Sequence, residues 1–168
     1  MVAALEMGGA HAADDTLLAV QPEQVERLWT PERRDRPKVP WHFSYSPEIP
    51  CTRIDTGVAV PWQRGSRPGF CGTCAAVGYV IEPDGSTSSL RLLRVVPEMP
   101  TRRADVTFHH VLQAIRRWRF TPTADNPRRE PVYTWYAYAL VLEEGISQEE
   151  RQAAWDVLHR MCEVARFP

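Results

Sequence analysis

The chain lacks any excess of basic charge: 20 Lys and Arg stand against 21 Asp and Glu, a net charge of -1 over 168 residues. A nucleic-acid binder normally carries a strong positive balance, so no polyanion partner is implied. Also missing is any run approaching the roughly 20 uninterrupted apolar residues that a bilayer-crossing helix needs, so the chain as given is not expected to span a membrane. Residues at catalytic or metal-ligand spacing are absent too. His109 and His110 are adjacent on a predicted helix and point about 100° apart, which does not suit one shared metal ion. Arg116, Arg117 and Arg119 read as a solvated helix face. No catalytic residue, metal site or cofactor is expected, and the chain is read as a non-enzyme.

What is present in quantity is proline. Fifteen prolines mostly fall before Cys71 or in short connections, where a missing backbone donor does least harm. The 43% apolar content is enough to bury a real core at this length. The opening Met1 to Asp15 ends in Ala10-His11-Ala12 followed by acidic residues, resembling the tail of an export signal with its start upstream. Four cysteines, Cys51, Cys71, Cys74 and Cys162, are even in number, which in an exported chain favours structural disulfides. A redox reading of Cys71-Gly72-Thr73-Cys74 wants a helix after the pair. The residues that follow, Ala75 to Ile81, read as a strand instead. Zinc is disfavoured because Cys51 and Cys162 are isolated.

Periodicity divides the chain into a possible signal remnant (1–15), a loop-rich Pro and aromatic extension (16–70), a small domain (71–145) and a C-terminal helix (146–168). In the extension, Pro22 opens a short helix running to Leu28 and Trp29, and Trp41, Phe43, Tyr45 and Trp62 are scattered without period. Val77, Tyr79 and Ile81 alternate as a strand with one buried face. Pro83-Asp84-Gly85 supplies a turn, and Ser89 to Val96 returns as the second strand. Phe108, Val111, Leu112, Ile115 and Trp118 form one stripe of a helix that begins near Ala104 or Asp105 and that Pro122 closes. Val132 to Leu142 reads as a third strand. The predicted fold is α+β: a three-stranded antiparallel sheet in the order β-β-α-β, with one helix across a face. Ser147 and Glu150 fit a capping box for the last helix, whose Trp155, Leu158, Cys162 and Ala165 share a docking face. That places Cys162 to staple to Cys51, Cys71 or Cys74.

The series Val77 to Ser86, Leu90 to Val96, Val111 to Pro122, and Pro131-Val132 into Leu140-Val141-Leu142 resembles the TonB C-terminal domain family. Its most specific element is Ala114-Ile115 followed by Trp118-Arg119-Phe120-Thr121-Pro122, similar to the family's Ala-Val, Trp-x-Phe-x-Pro block. Gly85 sits at the corresponding turn. The resemblance implies a non-catalytic periplasmic module that binds an envelope protein, or a TonB-box-like peptide of an outer-membrane transporter, by strand addition. It places the accepting strand at Val132, Tyr133, Thr134, Trp135, Tyr136 and Tyr138, whose rings either grip the peptide or pack on the sheet. The membrane anchor and Pro-rich spacer of a full energy transducer are not in this sequence. Two further readings of the same residues stay open: a disulfide-stabilised structural envelope protein without a transport role, and a CxxC-dependent thiol redox protein.

Overall fold

The computed structural model describes residues 17–38, 51–54, 70–142 and 146–164. The expectations for Met1 to Asp15, for Trp41, Phe43, Tyr45 and Trp62, and for Ala165 lie outside the described residues. The elements run β1 (Leu18–Ala19), α1 (Pro22–Leu28), β2 (Trp29–Arg33), β3 (Thr52–Ile54), β4 (Phe70–Ile81), β5 (Thr87–Val96), α2 (Thr101–Thr107), α3 (His109–Arg116), β6 (Arg119–Pro122), β7 (Val132–Val141) and α4 (Gln148–Met161).

The class is α+β as the sequence implies, but the sheet is larger than three strands. It runs in the order β1-β7-β4-β3, and β5 also pairs with β4. A second sheet pairs β2 with β6. The central strand β4 is antiparallel to β7 from Gly72 to Ile81 without a register shift. Its other edge is shared in tandem, by β5 from Cys74 to Ile81 and by β3 at Phe70 to Gly72. The extension expected to be loop-rich thus contributes helix α1 and strands β1, β2 and β3. These short strands find ladder partners far along the chain, which no local pattern announces.

The hairpin between β4 and β5 is the expected one. The Gly85 N–H donates to the Glu82 carbonyl (2.8 Å) and the Glu82 N–H to the Ser86 carbonyl (2.9 Å). Gly85 has φ +81°, and a Cβ there would lie 1.9 Å from the Phe120 carbonyl oxygen, so both backbone and space demand glycine. The Phe120 N–H in turn donates to the Gly85 carbonyl (2.9 Å), tying the turn to β6.

The single helix predicted from the Phe108–Trp118 stripe is two. Helix α2 starts at Thr101, α3 ends at Arg116, and Phe108 stands between them outside helical geometry (φ -101°, ψ 13°). The stripe itself holds: Phe108, Val111, Ile115 and Trp118 are buried and Leu112 is half-buried. Pro122 does not close a helix. It lies in β6, paired with Trp29, because β2 offers Arg119 to Pro122 an extended partner as soon as α3 stops.

Helices cover both faces of the main sheet, where one was expected. On one face, Ala75, Val77, Tyr79, Ile81 and Tyr138 pack with Phe108, Val111, Ile115, Trp118, Phe120 and Trp29. On the other, Cys74, Ala76, Trp135, Ala137, Ala139 and Val141 meet Ala154, Leu158 and Cys162 of α4 and its C-cap. Alternate small residues on that face let α4 approach closely; a Cβ on Gly72 would fall 2.5 Å from a Leu158 methyl. The docking face of α4 is therefore Ala154, Leu158 and Cys162, spaced i, i+4 and i+8. Trp155, assigned to that face by spacing, is 36% exposed. The capping box forms as expected, with the Glu150 N–H donating to Ser147 Oγ (3.1 Å) and the Ser147 N–H to the Glu150 carboxylate (2.7 Å).

Cys162 staples α4 to Cys74 (Cα–Cα 6.2 Å), and Cys51 joins Cys71 (5.4 Å). This pairing gives Cys71 and Cys74 different partners, so they do not form the disulfide of a CxxC redox pair. Cys71 and Cys74 lie three residues apart on an extended strand, roughly 10 Å between Cα atoms, beyond the ~7 Å that a disulfide spans. Parity also sends them to opposite faces of β4. No helix among the described residues is long and apolar enough to cross a membrane.

Candidate functional site, the open edge of the sheet

A β-strand residue directs its N–H and C=O to the same side, and the side alternates along the strand. On β7, the Leu142 N–H that follows the strand donates inward to the Cys71 carbonyl (2.9 Å), while the Tyr133 carbonyl accepts outward from the Val20 N–H (2.9 Å). Even-numbered residues therefore bond β4, and Tyr133, Trp135, Ala137, Ala139 and Val141 point their backbone groups away from it. Strand β1 runs parallel to β7 and pairs only with Val132 and Tyr133, before α1 carries the chain away. Beyond Tyr133, no strand among the described residues pairs with this edge. Trp135, Ala137, Ala139 and Val141 direct a regular row of backbone donors and acceptors to this side, and as residues they are 6%, 2%, 7% and 8% exposed.

The opposite edge is β5, and its geometry differs. Its ladder with β4 shifts register twice, between Ala76 and Val77 and between Gly78 and Val80, and Ser89 within it takes φ +51°. Such bulges twist a strand and spoil the flat row that edge pairing needs. A hollow of about 590 Å³ lies beside it, lined by residues including Leu92, Val95, Met99 and Met161.

A groove of about 460 Å³ opens along β7 beside Trp135, Tyr136 and Ala137. Trp135, Tyr136 and Ala137 form its floor, with Arg34 on the side of Tyr136, Gln21 beside Trp135, and Pro22, Glu23 and, from the end of α4, His159, Glu163 and Val164 completing the lining. The ring N–H of Trp135 donates to Gln21 Oε1 (3.0 Å) and fixes the indole at the floor. Helix α4 packs across the face of the sheet against Trp135, Ala137, Ala139 and Val141.

The six residues assigned from the resemblance all lie on β7, and their side chains mostly serve the core. Val132 and Thr134 are fully buried, and the Thr134 hydroxyl has no hydrogen-bond partner. The Tyr133 hydroxyl accepts from Arg91 Nε (2.7 Å). The Tyr138 hydroxyl lies 3.3 Å from Nε2 of His110, ring edge to ring face. Burial pushes the Tyr138 hydroxyl up to about 12 and also raises that of Tyr136. Only Trp135 and Tyr136 reach the groove. What β7 offers a partner is chiefly backbone.

The motif residues Gly85, Ala114, Trp118, Phe120 and Pro122 build the support behind that edge. Ala114 is buried against the sheet side of α3. The Trp118 ring meets Tyr136 edge-on at 5.0 Å and Tyr79 at 5.6 Å, and its N–H donates to the Asp35 carbonyl (2.9 Å). Tyr79, buried beneath, is pushed up to about 12 by desolvation. Among the groove residues not singled out from sequence are Gln21 and Arg34. Arg34 belongs to the charge run Arg33-Arg34-Asp35-Arg36, the one available signal, which ordinarily marks a solvated segment. Among the described residues no group of three or more His, Cys, Asp or Glu is placed to hold a metal ion.

No protein-family model matches the chain, and no curated protein matches it. Among solved structures, the solution NMR structure of the Pseudomonas aeruginosa TonB CTD is similar to it. The two are 17% identical, with 71% of this chain and 90% of that chain covered and a TM-score of 0.40.

Proposed function

We propose that this chain is a non-catalytic, exported protein-binding module that takes an extended segment of an envelope protein as an added strand on β7. The observation that carries the reading is the regular outer edge of Trp135, Ala137, Ala139 and Val141, without a strand partner among the described residues and fronted by a groove. Main-chain bonds supply affinity in this mode, and pockets for alternate side chains supply selectivity. The residue series from Val77 to Leu142 that resembles the TonB C-terminal domain family supports the same mode and suggests a TonB-box-like segment as the guest. Two disulfides support the periplasm as the compartment, since such bonds persist in oxidising surroundings.

The test is titration of the ¹⁵N-labelled protein with synthetic TonB-box peptides. Amide shifts concentrated at Trp135, Ala137, Ala139 and Val141 are expected. Shifts confined to Leu92–Val95 on β5, or none at all, would sink the reading. The two disulfides also favour a second reading, a rigid structural envelope protein; an edge that stays silent to every extended peptide is its expected signature.

A further inference from the structure

We infer that Arg34 is a specificity-determining residue of this edge, reading a carboxylate side chain on the strand that adds to β7. The inference rests on the strand-addition reading above and names the chemistry of the guest. The Arg34 guanidinium sits 4.9 Å above the Trp118 ring and 5.2 Å from that of Tyr136, in the wall of the groove. The two rings stand 81° apart, so the flat face of the guanidinium meets at most one of them, and a guanidinium held by rings keeps N–H donors for a planar, two-oxygen acceptor.

Several other arginines of the framework spend those donors internally. Arg33 bonds Asp35 and Arg128 pairs with Glu130. Arg91 donates to Tyr133, Arg94 to the Glu163 carbonyl, and Arg119 to the Arg116 and Trp118 carbonyls. Arg34 has no hydrogen-bonded or ionic acceptor among the described residues, yet two rings already hold it in place. An arginine ordered before the ligand arrives loses less entropy on binding, which is the condition for a recognition residue.

The geometry also sets the phase. A strand bonded to Trp135 and Ala137 places every second side chain on the sheet face shared by Tyr136, beside Arg34. The side chains between them turn toward the end of α4, where Glu163 stands in the lining. An acidic residue one position out of step meets a carboxylate there. The edge therefore selects for the acid and for its register together.

Three blocked hexapeptides, acetyl-Thr-Val-Glu-Val-Thr-Val-amide and its Gln and Lys counterparts, test the inference by NMR titration of the intact protein. The Glu peptide is expected to bind about tenfold tighter than the Gln peptide, as a charge-assisted pair implies. That preference should vanish in Arg34→Gln, and should shrink in the unaltered protein as NaCl is raised. Equal affinities with shifts at the β7 amides would overturn the role of Arg34 and leave strand addition standing. So would a preference for Glu that persists in Arg34→Gln. No shift at those amides with any of the three peptides would overturn both. If Arg34→Gln does not fold, the salt series on the unaltered protein decides.

Discussion

The two long edges of the main sheet solve the same problem differently. Both direct a row of backbone groups away from the sheet, and both have a hollow beside them. Yet β5 carries two register shifts and a residue of positive φ, while β7 keeps unbroken register with β4 across ten pairs. A bulged strand presents donors and acceptors at uneven spacing and discourages a neighbour. A regular strand invites one. The difference teaches that one edge of the sheet is irregular and the other even, so that on the strand-addition reading the choice of edge is set by register more than by side chains. The end of α4 stands between the two, giving His159, Glu163 and Val164 to one hollow and Met161 to the other.

The largest effect should come from releasing that helix. Cys74–Cys162 closes a loop of 88 residues, for which the chain-entropy account gives about 4–5 kcal/mol. The double variant Cys74→Ala, Cys162→Ala should lose a comparable amount in a guanidinium unfolding curve, and should blur the contrast between the edges, because both grooves lose a wall. Unchanged stability would mean that the docking of α4 does not depend on the bond.

Next in size is a proline pair on β7. Leu140 bonds inward to β4 opposite Thr73, so Leu140→Pro leaves a buried acceptor unpaired at a cost of about 2–3 kcal/mol. Ala139→Pro removes only an outward N–H and is expected to cost less while weakening peptide binding. If the two lose stability equally, the assignment of inward and outward residues is wrong. Thr134 supplies a change of opposite sign: its buried hydroxyl has no partner, so Thr134→Val should stabilise by about 1 kcal/mol in the same assay without altering the edge.

The smallest effect is electrostatic. Glu150, held by hydrogen bonds to the backbone and side chain of Ser147, and Asp84, held by those from Ser86, both have depressed carboxyl pKa values. A carboxyl depressed on folding adds stability that is present above its unfolded pKa and lost as pH falls through the folded one. Acidification below the ordinary carboxylate range should fray the first turn of α4 and loosen the β4–β5 turn, read as faster amide exchange at Glu150 and Ser86, with β7 amides unaffected until global unfolding.

Much of this was legible because it is local. The Pro83-Asp84-Gly85 turn, the Ser147–Glu150 capping box, the short helix after Pro22 and the third strand at Val132 each rest on neighbours within a few residues. What escaped depends on distance. Strand β2 meets β6 about ninety residues away in the chain, and Pro31 and Pro122 both argue locally against a ladder. Strand β4 runs back through Cys71-Gly72-Thr73-Cys74 to Phe70, although Gly and small polar residues are poor strand formers, because β3 and β7 pair with it there. The break at Phe108 is invisible to periodicity, since the stripe keeps its spacing on either side. The aromatic residues of β7 were correctly placed on their strand, but only the fold shows that most turn inward. Arg34 acquires meaning only when Trp118 and Tyr136 arrive beneath it.

The two-residue strand β1 has one more effect. By holding the first positions of β7 and then swinging away through α1, it acts as an end-stop. On the strand-addition reading, a guest chain along the remaining edge would not slide past Tyr133 toward Val132, so its alignment would be indexed from a fixed mark, much as a sheet of paper is squared against the guide of a printer.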